Sequence, residues 1–560
     1  MFSPRLRRLA AGLGVLAAVG CDENLDVANL NAPDIRRALA SAQDVQNLAI
    51  SSINSWYLTT TYLEPHAMLS TTADANTSNF GNFGMRFNNL EPRIAYANLS
   101  AGSDRAVTES PWNFNYQTLG AANDVLVAVR NGLQIPGGNR PWVALARFSQ
   151  AASLTNLALH FDRAFAVDED SAIAISGGAV PTLQPYTNVR QLAAAKWDQF
   201  FTEVGTNDFT YASTVFPITG GLTMQRLRRI ASTYAALLDT YNPRGAAEAA
   251  TVNWARVATL SAQGIGTGTA GAPFDVVVQG DNVNWYSYVN FYGNEHSWIR
   301  TDHRVIRRMD GTTPAPYAGV NGPRGTSPDA RYVSDFHRCG TATATPPGDG
   351  IITGTTGSTC AVVIGDPARG IYMQSNWFHK RFYSHARTSS TAALTAVPLF
   401  LAAESDLIRA EALIRTNGDR NVAVQLINNS RVTRGNLPPA TTAESDATLL
   451  GYIDYERDIE LLNTSGFEFA RARHVDRLQA GTLRHLPVPA RELETLRLPI
   501  YTFGGVGNPD RLLAPVVGTG TYGLSNYFGE ERLLETPKGT MTLRFPKRTP
   551  RPYELTLGAQ

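Results

Sequence analysis

Aromatic rings interleaved with amides are the most chemically pointed feature of the chain. The stretch DNVNWYSYVNFYGNEHSWIR, residues 281–300, sets Trp285, Tyr286, Tyr288, Phe291, Tyr292 and Trp298 among Asn282, Asn284, Asn290, Asn294, Glu295 and Arg300. Flat ring faces accept the C–H side of a pyranose, and neighbouring amide, carboxylate or guanidinium groups satisfy its hydroxyls. The stretch is too rich in Asn and Gly for a buried helix. It is a candidate binding platform, with ordinary core and loop packing as the competing reading. NTSNFGNFGMRFNN, residues 76–89, repeats the theme with Phe80, Phe83 and Phe87 beside Asn82 and Arg86. Asp74, just before it, reads equally as a ligand contact or a structural cap. Trp377, Phe378, Phe382 and Tyr383 in NWFHKRFYSH form a third cluster, for which core packing is the leading reading. The candidate ligand-binding set is therefore Trp285, Tyr286, Tyr288, Tyr292, Trp298 and Arg300, with Phe80, Phe83 and Arg86.

Catalytic and metal-binding patterns are missing from the sequence. His296 and His303 in HSWIRTDH, and His379 and His385 further on, lack the HExxH spacing of a zinc site. Gly348-Asp349-Gly350 lacks the alternating acids and closing Glu of a calcium loop. There is no P-loop, GxSxG or CxxC. Glycoside cleavage needs two carboxylates roughly 5 to 10 Å apart across the scissile bond. Acids such as Asp168-Glu169-Asp170 exist, but nothing places two of them across a cleft. The expectation is a non-catalytic chain without metal or cofactor. Lys+Arg 49 against Asp+Glu 48 leaves a formal +1, which gives no basic face for nucleic acid.

The elements that must position these rings are helical. Leu145, Phe148, Ala152, Thr155 and Leu159 repeat at helical spacing, and Pro141 suits the first turn. Ile230, Tyr234, Leu237 and Tyr241 make a second face, stopped by Asn242-Pro243. Phe400, Ala403, Leu407, Ala410 and Ile414 make a third; Asn417-Gly418 ends it, and Asp419 caps the next, with Val422, Leu426 and Asn429 on one side. Long helix, tight turn and short helix, repeated, is the tetratricopeptide kind of packing, here without a strict repeat period. Glu404, Glu411, Arg431, Glu456 and Arg457 lie on otherwise apolar helices and are expected to form an internal ion-pair network. The expected organisation is a signal peptide over 1–20, a helical domain over 21–500 with loop-rich insertions at about 66–110 and 266–397, and a Tyr/Gly-rich tail over 501–560 of open role.

The N-terminus reads as an address. Arg5, Arg7 and Arg8 precede the uncharged run Leu9–Val19, well short of the roughly 20 residues that span a bilayer. Ala18-Val19-Gly20-Cys21 resembles a bacterial lipobox, which makes Cys21 the expected lipid-attachment site. One acyl chain holds a protein marginally, whereas two or three chains, palmitate among them, hold it stably. Asp22, Glu23 and Asp26 resemble a surface-export tag of lipoproteins; in other bacteria an Asp here retains the protein at the inner membrane. The remaining cysteines, Cys339 and Cys360, flank CGTATATPPGDGIITGTTGSTC. In an exported protein they read as a disulfide, a loop closure of roughly 3 kcal/mol, with buried free thiols as the alternative.

Five blocks of text together resemble the SusD/RagB family of surface glycan-binding lipoproteins. They are CDENLDVANLNAPD after the cysteine; PWNFNYQTLGAANDVL, with Trp112, Tyr116, Asn123 and Leu126; YAALLDTYNPRGAAEAATVNWARVATLS; LFLAAESDLIRAEALIRTNGDRNVAVQLINNSRVTRGNL, with Glu404, Arg409, Ala410, Glu411, Ala412, Asn428, Arg431 and Arg434; and YERDIELLNTSGFEFARARHVDRL, with Glu456, Arg457, Glu460 and Leu461, followed by Pro487, Pro489 and Glu492. The chain departs from the family text at Ser465-Gly466-Phe467-Glu468, where an arginine is usual, and in its C-terminal tail. The resemblance implies a mainly α, SusD-like fold of tetratricopeptide-like hairpins with long irregular loop regions. It implies an outer-membrane lipoprotein facing the cell exterior and capping a TonB-dependent, SusC-like barrel. The protein would catch an oligosaccharide or other oligomeric nutrient and deliver it without catalysis. A glycan-cleaving enzyme and a helical scaffold that binds only proteins are the other readings.

Overall fold

The computed structural model describes residues 39, 41–78, 81–206, 208–281, 283–294, 299–317, 324–340, 349, 374–383 and 394–506, with the backbone of 531–536, 539–544 and 556–558. Ser41 starts the first long helix: its hydroxyl accepts the Asp44 amide hydrogen at 3.3 Å. That helix, α1 (Ala42–Thr61), buries Val45, Ala49, Ile53 and Trp56, the stripe expected of an amphipathic helix. It is followed by α2 (Leu63–Thr72), α3 (Ala106–Arg130), α4 (Arg140–His160) and α5 (Tyr186–Val204). Pro141 sits in the first turn of α4, where its missing N–H costs nothing. The α4 helix is buried along nearly its whole length. It runs parallel to α1: Ser52 meets Ser149 at 3.0 Å, Asn156 meets Thr60 at 3.3 Å, and Trp56 packs edge-on against Phe148 at 4.8 Å.

A second array continues through α6 (Met224–Tyr241), α7 (Trp254–Ala262), α8 (Ala402–Arg415), α9 (Arg420–Arg431) and α10 (Asp446–Ile459), closed by the short α11 (Glu468–Arg473). Thr223 caps α6, and Asn242 follows it as the sequence requires. Asn417 takes a left-handed φ of 51° after α8, and Asp419 accepts the amide hydrogens of Asn421 and Val422 at 2.9 and 3.3 Å. Although α7 and α8 are far apart in sequence, they pack together, with Ser405 donating to the Ser261 carbonyl at 3.3 Å. The long insertion thus leaves and rejoins the array at one place. The fold is mainly α, tetratricopeptide-like hairpins with long irregular regions between them.

Small antiparallel strand pairs staple those irregular regions: 76–78 with 299–301, 276–279 with 396–400, and 336–338 with 377–379. Phe400 therefore ends a strand rather than starting the helical face read from the sequence; Leu407, Ala410 and Ile414 do face the core. The packed residues continue past 500, with Tyr501 and Phe503 buried and the Tyr96 amide bonded to the Phe503 carbonyl at 3.0 Å. Further along, strands 531–536, 539–544 and 556–558 form an antiparallel sheet.

The expected internal ion pairs are present, with partners the sequence did not indicate. Arg457 meets Glu411 at 2.6 Å, Arg331 meets Glu456 at 2.7 Å and Asp329 at 2.8 Å, and Arg471 pairs with Glu404. Arg431 differs: it donates to the Pro438 carbonyl at 2.8 Å and lies 3.9 Å over the Tyr452 ring.

Candidate functional site

The exit from α1 builds one wall of the site. The helix stops at Tyr62, whose backbone is extended (φ −73°, ψ 160°), and Glu64 is extended as well (φ −90°, ψ 128°). Leu63 between them is buried, while Tyr62 and Glu64 are half-exposed. The second wall is the short helix Tyr288–Gly293, capped by Ser287, whose hydroxyl accepts the Asn290 amide hydrogen at 3.2 Å. Positions 288 and 292 share a helix face, so the two tyrosines stand side by side. Their rings are parallel to within 4°, with centroids 6.5 Å apart. Tyr62 meets Tyr288 at 5.0 Å and Phe114, from the start of α3, at 5.2 Å, both edge-on. Tyr286 meets Tyr288 at 4.3 Å, and Phe83 meets Tyr292 at 5.9 Å. All six rings are half-exposed, and they form one aromatic patch.

Polar bonds fix the backbone beneath the patch. Asn463 donates to the Gly293 carbonyl at 2.7 Å and accepts from Asn76 at 2.8 Å; Asn290 donates to the Pro398 and Thr464 carbonyls, each at 3.3 Å. A cavity of about 20 Å³ lies behind Tyr288 and Tyr292, bordered by His66, Asn463 and Glu468. It is large enough for about one water. Burial pushes the His66 imidazole down to about 4, which keeps it neutral, and pushes the Glu468 carboxyl up. Burial also raises the phenols of Tyr62 and Tyr286, which stay protonated at neutral pH. The ring faces of the platform are thus aromatic and uncharged.

The candidate residues divide. Tyr286, Tyr288, Tyr292 and Phe83 converge on the patch. Arg86 lies against Gly81 and beside Asp104, whose carboxyl is nonetheless raised by burial. Trp285 turns inward, tilted against Tyr57 at 5.3 Å and Phe216 at 5.2 Å, and is a core residue. Arg300 is fully buried on strand 299–301, donating to the Ser375 carbonyl at 2.6 Å, so it offers no surface to a ligand. Trp377 and Phe378 are also buried, and Cys339 lies in the core with Phe378 and Tyr383. Cys21, Phe80, Trp298 and Cys360 lie outside the described residues. Asp74 is structural: Arg93 meets it at 2.7 Å and Gln479 donates to it at 2.7 Å. Tyr62 and Phe114 belong to the site without having been singled out; the only sequence signal was a Tyr at the end of a helical run.

A second concavity, about 480 Å³, lies between the start of α5 and the end of α6. Its two carboxylates are both engaged. Asp239 meets Arg190 at 2.5 Å and Arg256 at 2.7 Å; Glu248 accepts from the Tyr186 hydroxyl at 2.8 Å and the Arg244 amide at 3.0 Å. No described helix is long and apolar enough to cross a membrane, and the described residues hold no cluster of His, Cys, Asp and Glu suited to a metal.

Residues 352–477 match the sequence model of a family described as the SusD family. Several solved structures share the fold. A SusD-like carbohydrate binding protein from Bacteroides fragilis is 16% identical, covering 78% of this chain and 86% of that one, with a TM-score of 0.54. A SusD superfamily protein from Parabacteroides distasonis is 12% identical, over 80% and 96%, with a TM-score of 0.56. A laminarin binding SusD-like protein is 13% identical, over 80% and 97%, with a TM-score of 0.53. At such identities the likeness to these structures is one of fold. No protein of curated function matches the chain in sequence.

Proposed function

We propose that the chain, whose residues 352–477 match the SusD family model and whose fold is SusD-like, is a surface lipoprotein that captures a glycan or other oligomeric nutrient. It holds the ligand on the patch of Tyr62, Phe83, Phe114, Tyr286, Tyr288 and Tyr292 and passes it to a partner TonB-dependent, SusC-like outer-membrane barrel. Cys21 carries the lipid that keeps it at the outer membrane, facing the exterior, and Cys339 pairs with Cys360. No bond of the ligand is made or broken. One observation carries the reading: six half-exposed rings from four separate segments meet at one place, with the Tyr288 and Tyr292 rings parallel. The carbohydrate-binding and laminarin-binding relatives support a sugar as the ligand class.

Titration calorimetry of the full chain against a panel of neutral oligosaccharides tests it. Stacking on a ring is worth about 2 kcal/mol of buried apolar area, so Tyr288→Ala is expected to weaken binding about 30-fold. An unaltered affinity in Tyr288→Ala and Tyr292→Ala, both folded, would refute the site. Steady release of reducing ends from the oligosaccharide would replace capture with cleavage.

A further inference from the structure

The helix Glu169–Ser176 is charged where it starts and apolar where it ends. Asp168 caps it, accepting the Ser171 amide hydrogen at 2.9 Å. Its acids are paired with the body of the protein: Glu169 meets Arg147 at 2.7 Å and both Arg130 and Lys196 at 3.2 Å, and Asp170 meets Arg130. From Ser171 to Leu183 the text is SAIAISGGAVPTL, without a single charge. Within it Ile173, Ile175 and Val180 are 45%, 36% and 81% exposed. Backbone bonds hold the three together. The Ala179 amide donates to the Ala174 carbonyl at 3.0 Å and the Gly178 amide to the Ile175 carbonyl at 2.9 Å, with Gly178 at the left-handed φ of 97° that such a helix ending needs. Val180 is thereby folded back beside the last turn. A fixed, exposed aliphatic knob of this kind marks a contact surface.

The helical array places the knob near the point where the chain enters the fold. Gln150 donates to Asn123 at 2.7 Å and Asn156 to Asn115 at 3.2 Å, so α3 runs antiparallel to α4, while α1 runs parallel to α4. The start of α1, the end of α3 and the start of α4 therefore share one end of the bundle. Arg130, the last residue of α3, ties the first turn of the helix Glu169–Ser176 to that end. Ser41, which caps α1 there, follows Cys21 by twenty residues, a reach of at most roughly 70 Å. An acyl anchor at Cys21 keeps this end within reach of the bilayer but does not orient it. With no charge and no ring, residues 171–183 give a protein partner little to recognise, whereas hydrocarbon takes aliphatic side chains by burial alone. We propose that Ile173, Ile175 and Val180 dip into the bilayer that holds the acyl chains, as a second, protein-borne membrane contact. The lipid sets the distance, and the knob sets which end of the bundle faces the membrane. The inference rests on the lipid-anchor reading of Cys21.

The test uses the mature chain with its own lipid, reconstituted into vesicles of phosphatidylethanolamine and phosphatidylglycerol, with and without phospholipid brominated in mid-chain. Val180→Cys carries a polarity-sensitive fluorophore. Val333→Cys, at a position 62% exposed on the short helix Arg331–Ser334, carries the same label as the reference. The label at 180 is expected to shift to the blue and to be quenched by the brominated lipid at least about threefold more strongly than the label at 333. Added salt should leave the quenching unchanged, because the contact is apolar. Ile173→Glu with Ile175→Glu, verified as folded by its thermal melt, should abolish both the shift and the quenching at 180, since charged side chains resist entry into hydrocarbon. An unshifted label at 180 on a chain that floats with the vesicles overturns the proposal and leaves the lipid anchor standing. Equal quenching at 180 and 333, or quenching that survives the two glutamates, does the same. A mature chain that fails to float with the vesicles overturns the lipid-anchor reading itself, and the inference with it.

Discussion

Trp285 and Tyr286 are chain neighbours with opposite roles, and the difference decides what substitution does at each. Trp285 is packed against Tyr57 and Phe216 inside the main core, whereas Tyr286 is half-exposed on the patch. Trp285→Ala is expected to destabilise the fold by about 3–5 kcal/mol, read by urea denaturation, because truncating a buried ring leaves a cavity. Tyr288→Ala should cost much less in stability and act on binding. The stretch 281–300 announced its rings but not their facing. The in–out alternation at 285, 286, 287 and 288 is a local strand-like pattern embedded in Asn-rich text, and it gives way at once to the helical pair 288 and 292. Arg300 misled for a related reason: a guanidinium in an aromatic stretch looks like a ligand contact, yet strand pairing with 76–78 draws it inside. The buried pair of Arg471 and Glu404 gives a second residue-level test. Arg471→Met leaves Glu404 buried with hydrogen bonds from the Tyr241 and Ser465 hydroxyls but without its arginine ion pair, and is expected to cost about 3–5 kcal/mol. The double change Glu404→Met with Arg471→Met should cost less than Arg471→Met alone, since no uncompensated charge remains.

At the scale of elements, local chemistry and long-range pairing separate cleanly. Helix starts and stops were legible because capping is local: Pro141 opens α4, Asn242 follows α6, and Asp419 caps α9 with two backbone amide hydrogens. Asp419→Ala removes that cap and is expected to lower stability by about 1 kcal/mol, measured as a shift in the denaturation midpoint, with ligand binding unchanged. The strand at Ala396–Phe400 was not legible, because its partner Val276–Gln279 lies at the far end of the long insertion and no local pattern names it. The patch has the same character. Tyr62 at the end of α1 meets both Phe114 of α3 and Tyr288 of the short helix, and α1 and α3 pack together. Half of the candidate site was therefore readable from one stretch, and the other half required the helical array.

Among the described residues many charged and titratable groups are buried, and this couples the stability of the molecule to pH. The text over α8–α10 that pointed to the fold is also the text of the buried ion pairs, so the strongest sequence signal is a scaffold signal and says little of the ligand. Four histidines are buried in a neutral state: His66 is held at about 4, His379 at about 3, and His160 and His485 well below the ordinary range, burial leading in each case. Unfolded, each titrates near 6.5. Between those values the unfolded chain binds more protons than the folded one, so this contribution to stability is whole above about pH 6.5 and is lost as pH falls. Asp302, raised to about 7, and Asp162, raised to about 6, act in the opposite sense, favouring the fold as they protonate, so the net profile is a difference of the two sets. His379 isolates one side of it. Both its ring nitrogens lack hydrogen-bond partners, and it packs between Phe336 and Phe382. At pH 7.5 its unfolded form is already neutral and protonation costs the fold nothing. At pH 5 the unfolded imidazole is charged, which favours unfolding by about 2 kcal/mol. His379→Phe removes that penalty, so its stability relative to the parent chain should rise by about 2 kcal/mol from pH 7.5 to pH 5, read from paired urea melts. An equal difference at the two pH values would mean that His379 titrates alike in the folded and unfolded chains.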